Sequence, residues 1–261
     1  MSGDLFSVKG KVALVTGAGP NNGHAIARAL AGAGAAVAVS DLSPEHSRTG
    51  AEAIVAAGGR AIDVPFDITD LGAVRAGVAH VEREFGPVDI LVNNAGTIEQ
   101  RDGLSGGQMG PFLDADPAIW HRWIDLNLYG SLNCIHAVLR GMVDRGWGRV
   151  VQISSGAGSR GLPSGHSTYG AGKAAIEAAV RHIAIENAKS GVTLNALALG
   201  PIAITGAISN PDVERIRASI PIGRKGRPEE VAAAVLWLAS DAGEWITAQT
   251  IHVNGGLYQG R

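Results

Sequence analysis

Residues 11–41 read KVALVTGAGPNNGHAIARALAGAGAAVAVSD. An apolar, β-branched run from Lys11 to Thr16 enters a glycine-bearing turn, and the Ala-rich stretch Gly23 to Ala33 has helical spacing. A second apolar run, Ala36 to Asp41, follows and ends in turn-forming residues. Strand, tight turn, helix, strand is the unit of a parallel sheet, and it repeats along the chain. Further strands are predicted at Ala61 to Asp67, Val88 to Asn94, Gly148 to Ser155, Val192 to Ala198 and Gln249 to Gly255. Helices are predicted at Pro44 to Ala57, Leu71 to Phe85, Pro117 to Arg145, Thr168 to Lys189 and Pro228 to Ser240, with a short one around Asp212 to Ser219. Pro44, Pro117 and Pro228 stand where a first-turn proline belongs, because its missing N–H is unpaired there anyway.

Strands apolar along their whole length and separated by helices imply a parallel sheet buried on both faces. Seven such strands in 261 residues make one doubly wound α/β domain spanning 1–261, without internal repeats. Two connections are long for such a fold, Thr97 to Asp116 and Ile202 to Arg227, and both leave the carboxyl ends of strands, where open α/β sheets bind ligands.

Composition removes several classes of function. Lys and Arg number 22 against 24 Asp and Glu, a formal charge of −2, so no basic field exists to hold nucleic acid. Hydrophobic residues at 46% against 18% charged supply one large core. Cys134 is the single cysteine, and no metal-ligand spacing occurs, so neither a disulfide nor a metal site is expected. No apolar leader or membrane-spanning run is present, which predicts a soluble, cytoplasmic protein with no membrane partner.

The turn Thr16 to Ala27 (TGAGPNNGHAIA) presents a helix N-terminus to a pyrophosphate, with Gly17 and Gly23 as the permissive positions. Asp41 lies 24 residues after Gly17, where a carboxylate accepts hydrogen bonds from ribose hydroxyls and repels a 2′-phosphate. That predicts NAD in preference to NADP. Tyr169 and Lys173 stand four apart on one helix face, so the ammonium should favour tyrosinate and lower the phenol pKa towards the working pH. Tyr169 is then a general acid/base candidate. Ser155 ends the fifth predicted strand, and Asn127 lies on the long preceding helix.

These elements, with Asp67-Ile68, Asn93-Asn94-Ala95-Gly96, Asn195, Gly200-Pro201, Arg227-Pro-Glu-Glu-Val231, Ser240-Asp241 and Val253-Asn-Gly-Gly256, resemble the short-chain dehydrogenase/reductase family over essentially the whole chain. Both 3-oxoacyl carrier-protein reductases and secondary-alcohol dehydrogenases of that family are similar. The resemblance implies a Rossmann sheet of strand order 3-2-1-4-5-6-7. It implies a catalytic set of Asn127, Ser155, Tyr169 and Lys173: Tyr169 exchanges the proton, Ser155 bonds the substrate oxygen, Lys173 holds the nicotinamide ribose, and Asn127 positions a relay water. Cofactor contacts are implied at Gly17, Asn21, Asn22, Gly23, Asp41, Leu42, Asp67, Ile68, Asn94, Gly96, Tyr169, Lys173, Gly200, Ile202 and Thr205. A homotetramer is implied too, with Ile246 to Tyr258 in its second contact.

Four departures stand out. Asn21 replaces the usual middle glycine of the turn, and Ser155 precedes Tyr169 by 14 residues, one more than usual. Leu199-Gly200 replaces the usual Pro-Gly, setting Thr205 one place late, and the Thr97 to Asp116 loop is extended. His166 and Tyr258 are candidate substrate neighbours, whereas Trp120, Trp123, Trp237 and Trp245 read as packing residues. The expected activity is NAD-dependent interconversion of a secondary alcohol and a ketone. The alternatives are an NADPH-type 3-oxoacyl thioester reductase and a catalytically silent dinucleotide-binding regulator.

Overall fold

Seven strands pair in parallel in the order β3-β2-β1-β4-β5-β6-β7. They are β1 (Val12–Thr16), β2 (Ala36–Val39), β3 (Arg60–Asp63), β4 (Ile90–Asn93), β5 (Gly148–Ser155), β6 (Val192–Leu199) and β7 (Thr250–Val253). The computed structural model describes residues 5–97, 111–162, 165–203 and 211–258. The helices are α1 (Asn22–Gly32), α2 (Pro44–Ala56), α3 (Leu71–Phe85), α4 (Ala118–Ile124), α5 (Ser131–Arg145), α6 (Gly156–Ser159), α7 (Ser167–Asn187), α8 (Pro211–Ser219) and α9 (Pro228–Ala239).

Strand alternation sorts the core into two layers. Ala13 and Val15 of β1, with Val37, Val39, Ile90, Val92, Val151 and Ile153, pack with α1 and α9. Val12 and Leu14, with Ala38, Leu91, Val150 and Leu194, pack with α3, α5 and α7. β1 therefore lies at the centre, fully buried. The order reverses between β1 and β4, and the carboxyl ends of these strands open into the crevice that doubly wound sheets use for ligands.

Two expectations need correction. β3 and β7 are not buried on both faces: β3 is exposed at both ends and half-buried at Ala61 and Ile62, and all of β7 is half-buried. Both are edge strands, so only one neighbour shields them. The expected continuous helix Pro117 to Arg145 is also divided, with a π-helical turn, Asp125–Gly130, between α4 and α5. Such turns re-aim side chains and recur at functional sites. Among the described residues no helix is long and apolar enough to cross a membrane.

Candidate active site

A cleft of about 930 Å³ runs along the carboxyl edge of the sheet, from Asp41 at one end to Tyr169 at the other. Its first end is built mainly from backbone. Gly17 has φ +57°, and a Cβ there would lie 2.7 Å from Ala95 Cα. A Cβ on Gly23 would lie 2.2 Å from Gly17 O, so the helix starts pressed against the turn. Asn94 locks the turn from β4, its Nδ2 donating to Thr16 O at 3.2 Å and Gly17 O at 2.6 Å. Asn21 takes the positive φ (73°) that its replacement of a glycine demands. Among the described residues no side chain caps α1, and an uncapped helix start attracts anions. Asn22 Oδ1 is buried with no hydrogen-bond partner among the described residues.

Asp41 follows β2. Its Oδ2 accepts from Gly19 N and its Oδ1 from Ser43 N, each at 3.0 Å, and His46 Nδ1 stands 3.5 Å from Oδ1. Leu42 borders the same end, half in solvent. Asp67 Oδ1 accepts from the Thr69 N–H and hydroxyl, both at 2.8 Å, and buried Ile68 lies under the cleft wall.

Side chains build the other end. Ser155 ends β5, and its Oγ caps α6 by accepting from Ala157 N at 3.2 Å. The Tyr169 hydroxyl, in the first turn of α7, is hydrogen-bonded to Ser155. The extra residue between them is accommodated with α6 packed on α7: a Cβ on Gly170 would meet Ala157 O at 2.7 Å. Trp123 and His166 stand edge-on to the Tyr169 ring at 5.3 and 5.9 Å between centroids. Lys173, one turn further, is 2% exposed and donates from Nζ to Ile153 O at 2.9 Å. Asn127 sits inside the π turn, Nδ2 donating to Trp123 O at 3.1 Å. Its buried Oδ1 has no partner among the described residues. A Cβ on Gly96 would fall 2.6 Å from Lys173 Nζ and 3.0 Å from Asn127 Oδ1, so both atoms front on that glycine.

The electrostatics differ from the expectation in one respect. Burial raises the Tyr169 pKa above its ordinary value, and the Ser155 hydrogen bond opposes that rise. Burial also lowers Lys173 to about 8, opposed by the Glu177 carboxylate. Burial outweighs the Ser155 bond at the phenol, so the expected lowering of the Tyr169 pKa is not what this state shows.

Gly200 and Ile202 line the cleft beyond β6. Thr205 lies outside the described residues, as do 98–110 of the first long loop and 204–210 of the second. His166 lines the cleft, whereas Tyr258 lies behind it, its hydroxyl donating to Leu199 O at 3.4 Å. Trp245 is 96% exposed and packs on little of its own chain. Three residues that sequence reasoning passed over or took for packing bear on the site: His46 beside Asp41, Trp123 against Tyr169, and Glu177 one turn after Lys173. The four-residue step from Lys173 to Glu177 was the one visible signal among them. Among the described residues no group of three potential metal ligands occurs.

A family profile described as enoyl-(acyl carrier protein) reductase matches residues 19–258. The chain belongs to the short-chain dehydrogenase/reductase family. Family relatives include an acetoacetyl-CoA reductase of Rhizobium meliloti, 40% identical over 95% of this chain and 98% of the relative. A 3-oxoacyl-(acyl-carrier-protein) reductase of Salmonella typhimurium is 36% identical over 97% of this chain and 99% of its own. A crystal structure of an Agrobacterium tumefaciens protein described as a gluconate dehydrogenase superposes with a TM-score of 0.89 at 29% identity, covering 98% of both chains. As a family member the chain is an oxidoreductase that binds a nicotinamide dinucleotide.

Proposed function

We propose that the protein interconverts a secondary alcohol and a ketone with NAD. The observation that carries this reading is the Tyr169–Ser155 hydrogen bond, with Lys173 one turn along the same helix, at one end of a cleft whose other end is Asp41. The residues present fit a dinucleotide: the turn at Gly17 and Gly23 has no room for a Cβ, and the uncapped α1 start and buried Asn22 Oδ1 offer polar groups to it. A nicotinamide bound there supplies or accepts the hydride. Tyr169 gives its phenolic proton to the substrate oxygen in ketone reduction and takes it back in alcohol oxidation. Ser155 donates to the same oxygen as negative charge develops on it. Lys173 meets the ribose and passes protons towards Asn127, whose Oδ1 shares the Gly96 surface with Nζ. NAD is favoured over NADP because Asp41 and Asp67 border the adenosine end, and among the described residues no Lys or Arg lines that end.

A second reading, reduction of 3-oxoacyl thioesters with NADPH, is favoured by the names of two relatives. One experiment separates them: nicotinamide absorbance is followed with each of the four cofactor forms against aryl and cyclic secondary alcohols, their ketones, and acetoacetyl-CoA. Turnover with NAD and simple alcohols supports the first reading; thioester reduction confined to NADPH replaces it. We also infer a homotetramer, since Tyr129 and Ile185 lie exposed by the helices that pair in the resembled family. A monomer by light scattering at micromolar concentration would contradict this.

A further inference from the structure

Glu177 is 5% exposed, ionisable and absent from the roles above. Its Oε1 accepts from Ser154 Oγ at 2.5 Å, a short, buried bond; burial raises the Glu177 pKa, and that bond, Arg181, His252 and Lys173 oppose the rise. Ser154 is the residue between Ile153, whose carbonyl receives Lys173 Nζ, and Ser155, which bonds Tyr169. The end of β5 is thus tied to α7 by three bonds: besides Ser155 with Tyr169, Lys173 donates to Ile153 and Ser154 donates to Glu177, in opposite directions and four residues apart on the helix. Space around the carboxylate is tight: a Cβ on Gly158 of α6 would stand 2.8 Å from Oε1. The charged or titratable groups facing it are Lys173 and Arg181 on α7, His252 on β7 and Tyr258 beyond β7. Arg160, after α6, stands over the Tyr258 ring with its Cζ 5.0 Å from the centroid. Ser154 faces it from β5.

We propose that Glu177 is a positioning residue that fixes the end of β5 against α7, so that Ser155 and Lys173 meet the same reacting atoms, and that its carboxylate, one helical turn from Lys173, is the counter-charge of that buried ammonium. Removing only the hydrogen bond should misplace Ser155, while removing only the charge should make Lys173 lose its proton at lower pH. This rests on the oxidoreductase reading for its catalytic consequence, but the lysine titration does not.

The test uses Glu177→Gln, Glu177→Ala and Ser154→Ala in the full chain. With lysine carbon-13-labelled at Cε, Lys173 is assigned by the loss of its signal in Lys173→Met and titrated by NMR. Its midpoint should move to lower pH by at least about half a unit in Glu177→Gln, where the side-chain shape is kept. Glu177→Ala and Ser154→Ala should lower kcat about tenfold or more, the scale of effect that a small misplacement of reacting groups produces. Glu177→Gln should recover part of that loss, because its amide oxygen still accepts from Ser154. In ketone reduction its basic limb should move down with the lysine. An unchanged Lys173 midpoint in Glu177→Gln overturns the charge assignment, and parental kcat in Ser154→Ala overturns the positioning role. If the parent turns over no alcohol, ketone or thioester, the functional reading fails, and the NMR titration still decides for or against the charge pairing.

Discussion

The two ends of the cleft are built by different means. Around Gly17 and Gly23 the geometry is enforced by backbone packed too closely for a Cβ, and Asp41 is met by main-chain N–H groups. Around Tyr169 it is enforced by side chains: a half-buried tyrosine, a buried lysine, and a buried asparagine held by a π turn. The first end should bind through shape and dipoles and, Asp41 apart, tolerate changes in side-chain chemistry where no Cβ is added. The second depends on protonation states that burial has moved, so there the identity of each side chain counts.

Tyr169→Phe is the largest test of that contrast. It removes the proposed proton donor and keeps the ring beside Trp123 and His166, so kcat should fall by about 10²–10⁴-fold while dinucleotide binding, followed by fluorescence quenching, persists. Retained turnover would show that the side-chain end is not the reacting end. Gly23→Ala attacks the backbone end instead. Its Cβ would clash with main chain that cannot move aside, so dinucleotide affinity should drop about a hundredfold or more, a loss of about 2.7 kcal/mol or more.

Lys173→Met tests the cost of the buried cation. Lys173 has its folded pKa lowered from 10.5 to about 8, so folding disfavours its charged form. Below about pH 8 the lysine is protonated folded and unfolded, and the full penalty is present. Between about pH 8 and 10.5 the unfolded chain binds more protons, and native stability from this group rises with pH. The methionine variant should therefore be inactive yet more stable than the parent at pH 7, by about 1–3 kcal/mol, with the gap closing towards pH 10. Thermal melts at several pH values read this directly; a variant less stable at every pH would mean that the lost bond to Ile153 O outweighs desolvation.

Asp41→Ala should narrow the preference for NAD over NADP by about tenfold, corresponding to about 1.4 kcal/mol of lost discrimination, read as a ratio of kcat/KM values. The smallest effect is expected at Asn21→Gly. Glycine relieves the positive φ but loses more chain entropy, so stability should change by less than about 1 kcal/mol and Tm by no more than about 4 °C.

Apolar periodicity with turn residues located most strands and helices, because alternating inward side chains, Pro44 and Pro228 at helix starts, and Gly17 in the first turn act locally; the strand order came from the family resemblance. The Tyr169–Lys173 step was readable for the same reason: a helix face is a local property. The tertiary structure decided the rest. The break at Asp125–Gly130, which places Asn127 Oδ1 on the Gly96 surface that Lys173 Nζ shares, lies in a stretch whose periodicity runs on as helix. The raised Tyr169 pKa, the lowered Lys173 and the Ser154–Glu177 bond depend on how completely β5, α4, α6 and α7 exclude water from groups far apart in the chain. Spacing along a sequence places charges on a helix face; desolvation is a sum over neighbours that only the packed molecule supplies.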